Sequence, residues 1–431
     1  MKSETRPKRI LITNIVSLNT GDAAILAGMF KILRSQYGSD TEFVVFDRAA
    51  DVARRYYPWA QFRQSLFTKK SNGRVSLWVE KFGYGHWNLR LRYWKLWLAV
   101  KLCKTVGSGI TRLFLAPNDR ESVRIYARAD LILSSGGTYL IEKYGLWAPI
   151  YDYRLSLASG TPLGFFTQTL GPFNRPDHRA AFSDVFRHSS CIFLRDERSR
   201  QNLIDIAVPA ELIAIARDAA FVLEPTVKHD EKPKKDEGEK LKVAISVRSL
   251  NFFDDESGSF SKRYVESLRA VISEVVRSYG AKVVFLSSCQ GIDEYWTDDS
   301  ETAERVFSGL DEDVKSSVKV DRSFRQPQQI IDAYRNFDIV IATRMHAAIL
   351  SLVAGTPVLG IAYEFKLEEL FHDIGMPEAC ITTREINSQI AIDQFSRIYN
   401  GIEQYRALVE KVRVSCNNEA YSVTSRLPVL K

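Results

Sequence analysis

Two residues two positions apart set the chemistry to look for. Arg344 and His346, in Thr343-Arg344-Met345-His346, stand between an apolar run at 339–342 and another at 347–354. The first run reads as a buried strand and the second as an apolar helix broken by Gly355-Thr356-Pro357. A third run, 358–362, reads as a second buried strand, which completes a βαβ unit. The pair therefore falls at the C-terminal end of a strand, the edge where open α/β sheets bind ligands. Arg344 is a permanent cation whose forked donors suit a carboxylate or a phosphate. His346 can hold or release a proton near neutral pH. The helix start adds free N–H groups and a positive dipole end. The structural alternative is an Arg344 that caps a neighbouring carboxylate and a His346 packed in the interior.

Other strand ends carry groups of the same kind. A strand at 9–14 leads through Ser17-Leu-Asn19-Thr20-Gly21-Asp22 to a helix over about 23–37. Asn19, Gly21 and Asp22 are candidates there, because a glycine lets a ligand approach the backbone. A βα turn capped by Thr20 or Asp22 is the structural alternative. The loop is neither a Walker nor a GxGxxG loop, so it implies no nucleotide. Gly136 and Gly137 follow another apolar strand, and Arg195 ends the strand at 191–194. In the second half Arg248 ends the strand at 243–247, and Glu364 and Lys366 follow the one at 358–362. Several cations and one histidine suit a small, doubly anionic substrate. No histidine cluster points to a metal. No Gly-x-Ser-x-Gly elbow points to acyl chemistry.

These positions need two α/β domains to hold them, and 431 residues are enough for two cores. The expected fold class is α/β, with two Rossmann-like domains facing a cleft. The first domain is expected over 1–225 and the second over 241–392. Between them, 226–240 is a charged linker in which His229 is solvated. A helical segment, 393–431, could cross back to the first domain. Within the first domain, about 65–115 is a basic, aromatic insertion. It mixes Trp78, Trp87, Trp94 and Trp97 with Lys81, Arg90, Arg92, Lys95, Lys101 and Lys104. Such a segment can lie on an anionic membrane; otherwise it packs on its own domain with its lysines solvated. The formal charge of +7 suits an acidic substrate or an anionic surface. No nucleic-acid motif accompanies it. Five scattered cysteines without a CxxC pair oppose a disulfide framework and fit a reducing cytoplasm. The basic start runs directly into a strand, so no signal peptide is expected, and no apolar run is long enough to span a bilayer.

Taken in order, the motifs resemble the polysaccharide pyruvyl transferase family, in its colanic-acid and amylovoran exopolysaccharide branch. The first half supplies Asn19-Thr-Gly21-Asp22-Ala-Ala-Ile25, Gly136-Gly137-Thr138, Gly171-Pro172-Phe173 and Arg195-Asp196-Glu197-Arg198-Ser199. The second supplies Ser246-Val-Arg248, Leu286-Ser-Ser-Cys-Gln-Gly291-Ile-Asp293, Arg344-Met345-His346 and Ala362-Tyr363-Glu364-Phe365-Lys366. Each is weak alone; their common order over most of the chain is specific. Met345 stands where the family usually has leucine, a volume-conserving exchange. Ser134-Ser135-Gly136-Gly137 is poorer in glycine than many relatives.

The resemblance implies a GT-B-like fold and a pyruvyl group passed from phosphoenolpyruvate to a pair of sugar hydroxyls, giving a ketal. Phosphoenolpyruvate is the donor substrate, and no cofactor or metal is implied. The donor would sit on the C-terminal domain and the acceptor on the N-terminal one. Arg344 would hold one anionic group of the donor, and Arg195 or Arg248 the other. His346 would be the general acid that protonates C3. Asn19, Gly21, Gly136, Gly137 and Lys366 would line the substrates, and Asp22 or Glu364 would orient the sugar. The acceptor would be an exopolysaccharide or its lipid-linked repeat unit, which suits a cytoplasmic protein at the inner face of the membrane with a peripheral membrane contact. Two other classes share the features: a GT-B glycosyltransferase using a nucleotide sugar, with Glu364 and Glu368 or Glu369 on the ribose, and a non-catalytic carbohydrate-binding relative. Arg195, Arg248, Arg344 and His346 occurring together argues against the latter.

Overall fold

The computed structural model describes residues 6–67, 86–227, 239–250 and 259–430. Trp78 and Lys81 of the insertion, and His229 with most of the charged linker, lie outside the described residues. The chain divides into two compact units. The first comprises Met1–Leu18, Ile25–Ala219 and Glu419–Lys431. The second comprises Asn19–Ala24 and Ala220–Asn418. The division in the middle of the chain thus falls at Ala219, and the helical segment belongs to the second unit as far as Asn418.

Each unit is built on a parallel sheet whose strands are apolar on both faces, as strands covered by helices on each side must be. In the first, β1 (Arg9–Ile15), β2 (Glu42–Asp47), β3 (Gln61–Gln64), β4 (Leu131–Ser134), β5 (Gly137–Leu140), β6 (Leu163–Leu170), β7 (Cys191–Leu194) and β8 (Ile213–Ile215) make one sheet. Its order is β3-β2-β1-β4-β6-β7-β8. β4 and β5 lie in succession along one side of β6, β4 beside Leu163–Phe165 and β5 beside Gln168–Leu170. Ser135 and Gly136 form the break between them. The helix His86–Thr105 is the main described element of the insertion and packs Leu89, Leu96, Ala99 and Val100 into this unit's core.

The second sheet comprises β9 (Lys242–Ser246), β10 (Lys282–Phe285), β11 (Val318–Val320), β12 (Ile339–Ala342), β13 (Val358–Ala362) and β14 (Cys380–Thr382). Its order, β11-β10-β9-β12-β13-β14, is that of a Rossmann sheet, with the reversal between β9 and β12. The helix Met345–Ala354 is buried from Ala347 onward, so apolar content rather than amphipathicity fixes it in place. It ends because Gly355 adopts the left-handed conformation (φ 74°) that stops a helix. Thr356 then donates to the Tyr334 carbonyl at 3.0 Å, and Ser351 donates to the Thr356 carbonyl at 2.9 Å. These bonds hold the return into β13 and fix where the other end of the helix begins.

Candidate active site

The reversal between β9 and β12 brings two arginines to one strand edge. Arg248 follows β9 by two residues and Arg344 follows β12 by two. The strand ends are tied together. Thr343 N–H donates to the Ser246 carbonyl at 2.9 Å. The Thr343 hydroxyl lies 2.7 Å from the Tyr264 hydroxyl, which also receives the Arg248 N–H at 3.4 Å.

Arg344 is buried, and its fork closes on Asp299, which is fully buried. Nη2 donates to Oδ1 at 2.7 Å, and Nε donates to Oδ2. Burial alone would lower the proton affinity of Arg344. The facing carboxylate overcomes it and holds the guanidinium above its ordinary range. Two of the donors of Arg344 are thus taken by Asp299, as in the capping alternative. Asp299 is available because Asp298 caps the helix Asp299–Ser308, accepting from Ser300 N–H at 2.8 Å. Asp299 N–H also donates to the Cys289 carbonyl at 2.8 Å. Burial, chiefly, pushes the Cys289 thiol up to about 12.

Arg248 is placed differently. Its guanidinium lies 4.5 Å from the centre of the Tyr363 ring and also donates to the Tyr363 hydroxyl. Burial first, and the charge of Arg344 second, push its pKa down to about 10, against the pull of Asp299 and Glu364. Glu364 is paired with Lys366 at 3.1 Å. Five of the expected groups in this unit, Arg248, Arg344, His346, Glu364 and Lys366, thus stand at adjacent strand ends.

Asn19 and the first turn of the helix Thr20–Tyr37 complete this edge. Asn19 Oδ1 accepts the Gly21 N–H at 3.0 Å. A Cβ on Gly21 would lie 2.5 Å from His346 Nδ1 and 2.7 Å from His346 Cγ, so only glycine fits against the histidine. Gly21 is required by a side chain of the protein, where the sequence suggested a ligand. Asp22 is buried and near both Cys289 and Tyr295.

The other candidates belong to the first unit. Arg195 pairs with buried Asp218 at 2.6 Å and donates to Thr138 and Thr169 hydroxyls, each at 3.1 Å. Its side chain is tied into the frame of this unit by those contacts. The glycine pair is likewise built into the sheet. Gly137 sits opposite Gln168 with φ 133°, and a Cβ on Gly136 would lie 2.8 Å from Ile25 Cγ2. The Ser135 carbonyl accepts from Gln168 Nε2 at 2.6 Å. Sequence reasoning passed over one further cluster in this unit. Buried His178 holds Nδ1 3.1 Å from Glu142 Oε2, and its ring packs 5.4 Å from that of Trp147.

Sequence reasoning also missed Asp299. The available signal was a pair of aspartates opening a helix that needs only one cap. Cys289 and Tyr363 stood inside the quoted motifs without a role. Among the described residues, no group of three His, Cys, Asp or Glu side chains could hold a metal ion.

Two parallel Rossmann-like sheets with this order define a GT-B-like fold, and solved structures share it. UDP-GlcNAc 2-epimerase from Neisseria meningitidis bound to UDP-GlcNAc matches with a TM-score of 0.57 at 10% identity, over 98% of this chain and 99% of that one. Anabaena Alr3699/HepE in complex with UDP-glucose gives 0.55 at 11%, over 97% of each chain. Sucrose-phosphate synthase from Thermosynechococcus elongatus gives 0.55 at 11%, over 96% of this chain and 94% of that one. At such identities the likeness is one of fold.

The chain belongs to the polysaccharide pyruvyl transferase family, whose family model matches residues 19–364. It is also similar to the amylovoran biosynthesis protein AmsJ of Erwinia amylovora, with 25% identity over 424 residues, 95% of this chain and 97% of that protein. The matched span takes in Asn19–Ala24, both arginines, His346 and Glu364.

Proposed function

We propose that this polysaccharide pyruvyl transferase uses phosphoenolpyruvate as donor and forms a pyruvate ketal on a sugar of an exopolysaccharide or its lipid-linked repeat unit. The observation that carries the donor assignment is Arg248. It is stacked on Tyr363 at the reversal point of the sheet, and its charge is disfavoured by burial and by Arg344. A bound anion relieves both effects, and phosphoenolpyruvate offers a carboxylate and a phosphate on one small frame. Arg248 binds one of these groups. The N-terminus of the helix Met345–Ala354 attracts the other. Arg344 acts as a positioning residue, because its bond to Asp299 fixes the start of that helix. Glu364 and Lys366 stand beside Arg248, where a sugar hydroxyl would need an acceptor and a donor.

His346 is the general acid. It gives a proton to C3 of the enol as an acceptor hydroxyl attacks C2, so that C3 becomes the methyl group. The C2–phosphate bond then breaks, inorganic phosphate leaves toward Arg248, and the second hydroxyl closes the ketal at C2. The protons of the two hydroxyls balance the one gained by C3 and the one carried off in solution or by phosphate. Five cysteines, all free thiols, suit a reducing compartment, which supports a cytoplasmic site of action.

Phosphate release from phosphoenolpyruvate, with a panel of galactose-, glucose- and mannose-containing acceptors, tests the assignment. Release that depends on an acceptor and is lost in Arg248→Gln and His346→Ala is the expected result. Thermal stabilisation by UDP, and none by phosphoenolpyruvate, would transfer the donor role to a nucleotide sugar.

A further inference from the structure

We propose that the outer face of the helix His86–Thr105 docks the protein on an anionic lipid surface. The helix is apolar on two opposite sides. Leu89, Leu96, Ala99 and Val100 face the core. On the other side, Trp87, Leu91, Trp94 and Leu98 are exposed by 70, 66, 50 and 47%. Spacings of four, three and four residues place these four side chains within an arc of about 60°, in a stripe about 16 Å long. A helix resting on a soluble core ordinarily turns polar groups outward there. The apolar exposure continues past the helix, at Val106 (67%) and Leu113 (83%).

The charges around the stripe name its occupant. The helix contains no Asp or Glu. Arg90 and Lys101 flank the stripe on one side and Lys95 on the other. The Arg90 guanidinium lies 5.5 Å from the Trp87 ring, at the border of the apolar strip. Arg92, in contrast, turns inward to Asp119 at 2.9 Å. An apolar strip edged by cations on both sides, with tryptophans among its members, matches the boundary between headgroups and acyl chains of an anionic bilayer. Lysine and arginine stems lie along the apolar surface while their charges reach the phosphates. A second copy of this chain would set the same cations against one another, which opposes self-pairing through this face. Among the described residues no helix is long and apolar enough to cross a membrane, so the contact runs along the surface.

The surface deepens the proposed function by bringing the enzyme to where a lipid-linked acceptor would lie. Its test needs no substrate, so its failure and the failure of pyruvyl transfer are separately visible. The full chain is floated with vesicles of phosphatidylcholine alone and of phosphatidylcholine with an equal part of phosphatidylglycerol. Partition into the anionic vesicles, with a blue shift of tryptophan emission, is the expected result. Trp87→Ser with Trp94→Ser lowers the partition coefficient at least about tenfold. Lys95→Glu with Lys101→Glu removes the preference for phosphatidylglycerol. All four residues are exposed, so both variants melt with the parent, and circular dichroism checks this. Three results would overturn the proposal: no partition of the parent into either vesicle, partition unchanged in the tryptophan variant, or a parent oligomer that the tryptophan variant dissolves.

Discussion

Asp299→Asn separates the two roles an arginine at this strand edge can have. In the parent, Arg344 and Asp299 form a fully enclosed, two-bond ion pair. The asparagine keeps the shape and removes the negative charge, so a buried guanidinium is left without its counter-charge. Breaking one side of such a pair costs about 3–5 kcal/mol. In a unit of this size, each kcal/mol moves the melting temperature by roughly 2–4 °C, so the second unit should melt about 6–20 °C lower. The paired change Asp299→Leu with Arg344→Met removes both charges and fills similar volume. It should recover most of the lost stability, because a well-packed apolar pair is often as stable as a buried ion pair. Neither variant should release phosphate at the parent's rate, since the start of the Met345–Ala354 helix loses its anchor. Thermal and urea unfolding followed by circular dichroism, alongside the phosphate assay, read all of these. A melting temperature for Asp299→Asn within about 2 °C of the parent would refute the enclosed pair. A paired variant as unstable as the single one would show that packing, not the unpaired charge, sets the loss.

Other variants test neighbouring features. Gly21→Ala places a Cβ 2.5 Å from His346 Nδ1, so it should displace the imidazole and lower kcat about 100-fold. The same Cβ would also lie 2.7 Å from His346 Cβ, so the melting temperature should fall as well, and unchanged turnover would remove His346 from the chemistry. In the first unit, burial pushes the Asp152 carboxyl up from its ordinary 3.8 to about 6, although Thr13 and Tyr126 donate to it. Between about pH 4 and 6 the unfolded carboxyl ionises while the folded one keeps its proton, so stability falls as pH rises through this window. The loss is complete above it, at about 3 kcal/mol. Asp152→Asn should therefore gain stability relative to the parent as pH rises from 4 to 7, read from urea midpoints, and parallel curves would contradict this.

The two sheets were legible because a strand covered on both faces must be apolar throughout, and runs such as 339–342 and 358–362 leave little else to form. Strand ends were legible in turn, and with them the positions of Arg248, Arg344 and His346. Side-chain partners were not. Arg344 finds Asp299 forty-five residues earlier in the chain, and Arg195 finds Asp218 beyond a helix and a further strand. No local rule selects which carboxylate meets which cation. What surrounds the glycines at 136 and 137 was not legible for a related reason. Glycine marks close approach, but the approaching group is Ile25 and the edge of β6, and sequence does not distinguish a neighbour from a ligand. The insertion was half legible. Its tryptophans and lysines were visible, while their division between a buried side and an outer stripe emerged only once the helix was seated on the core.

Within the proposed site, the state of Arg248 bears most directly on the donor. Burial chiefly, and the charge of Arg344 second, bring the pKa of Arg248 down to about 10. Arg248 is nonetheless charged at neutral pH and is not a neutral group waiting for a proton. On the proposed reading, an anion bound there would take up no proton and would relieve the charge of Arg248. Tyr363 keeps the guanidinium plane fixed from below, so little side-chain freedom is lost when the anion arrives. A small dianion can satisfy Arg248 and the adjacent helix start together, because both lie at the ends of the neighbouring strands β9 and β12. Arg344 enters that balance at a distance. Its charge depresses Arg248, while two of its own donors are held by Asp299.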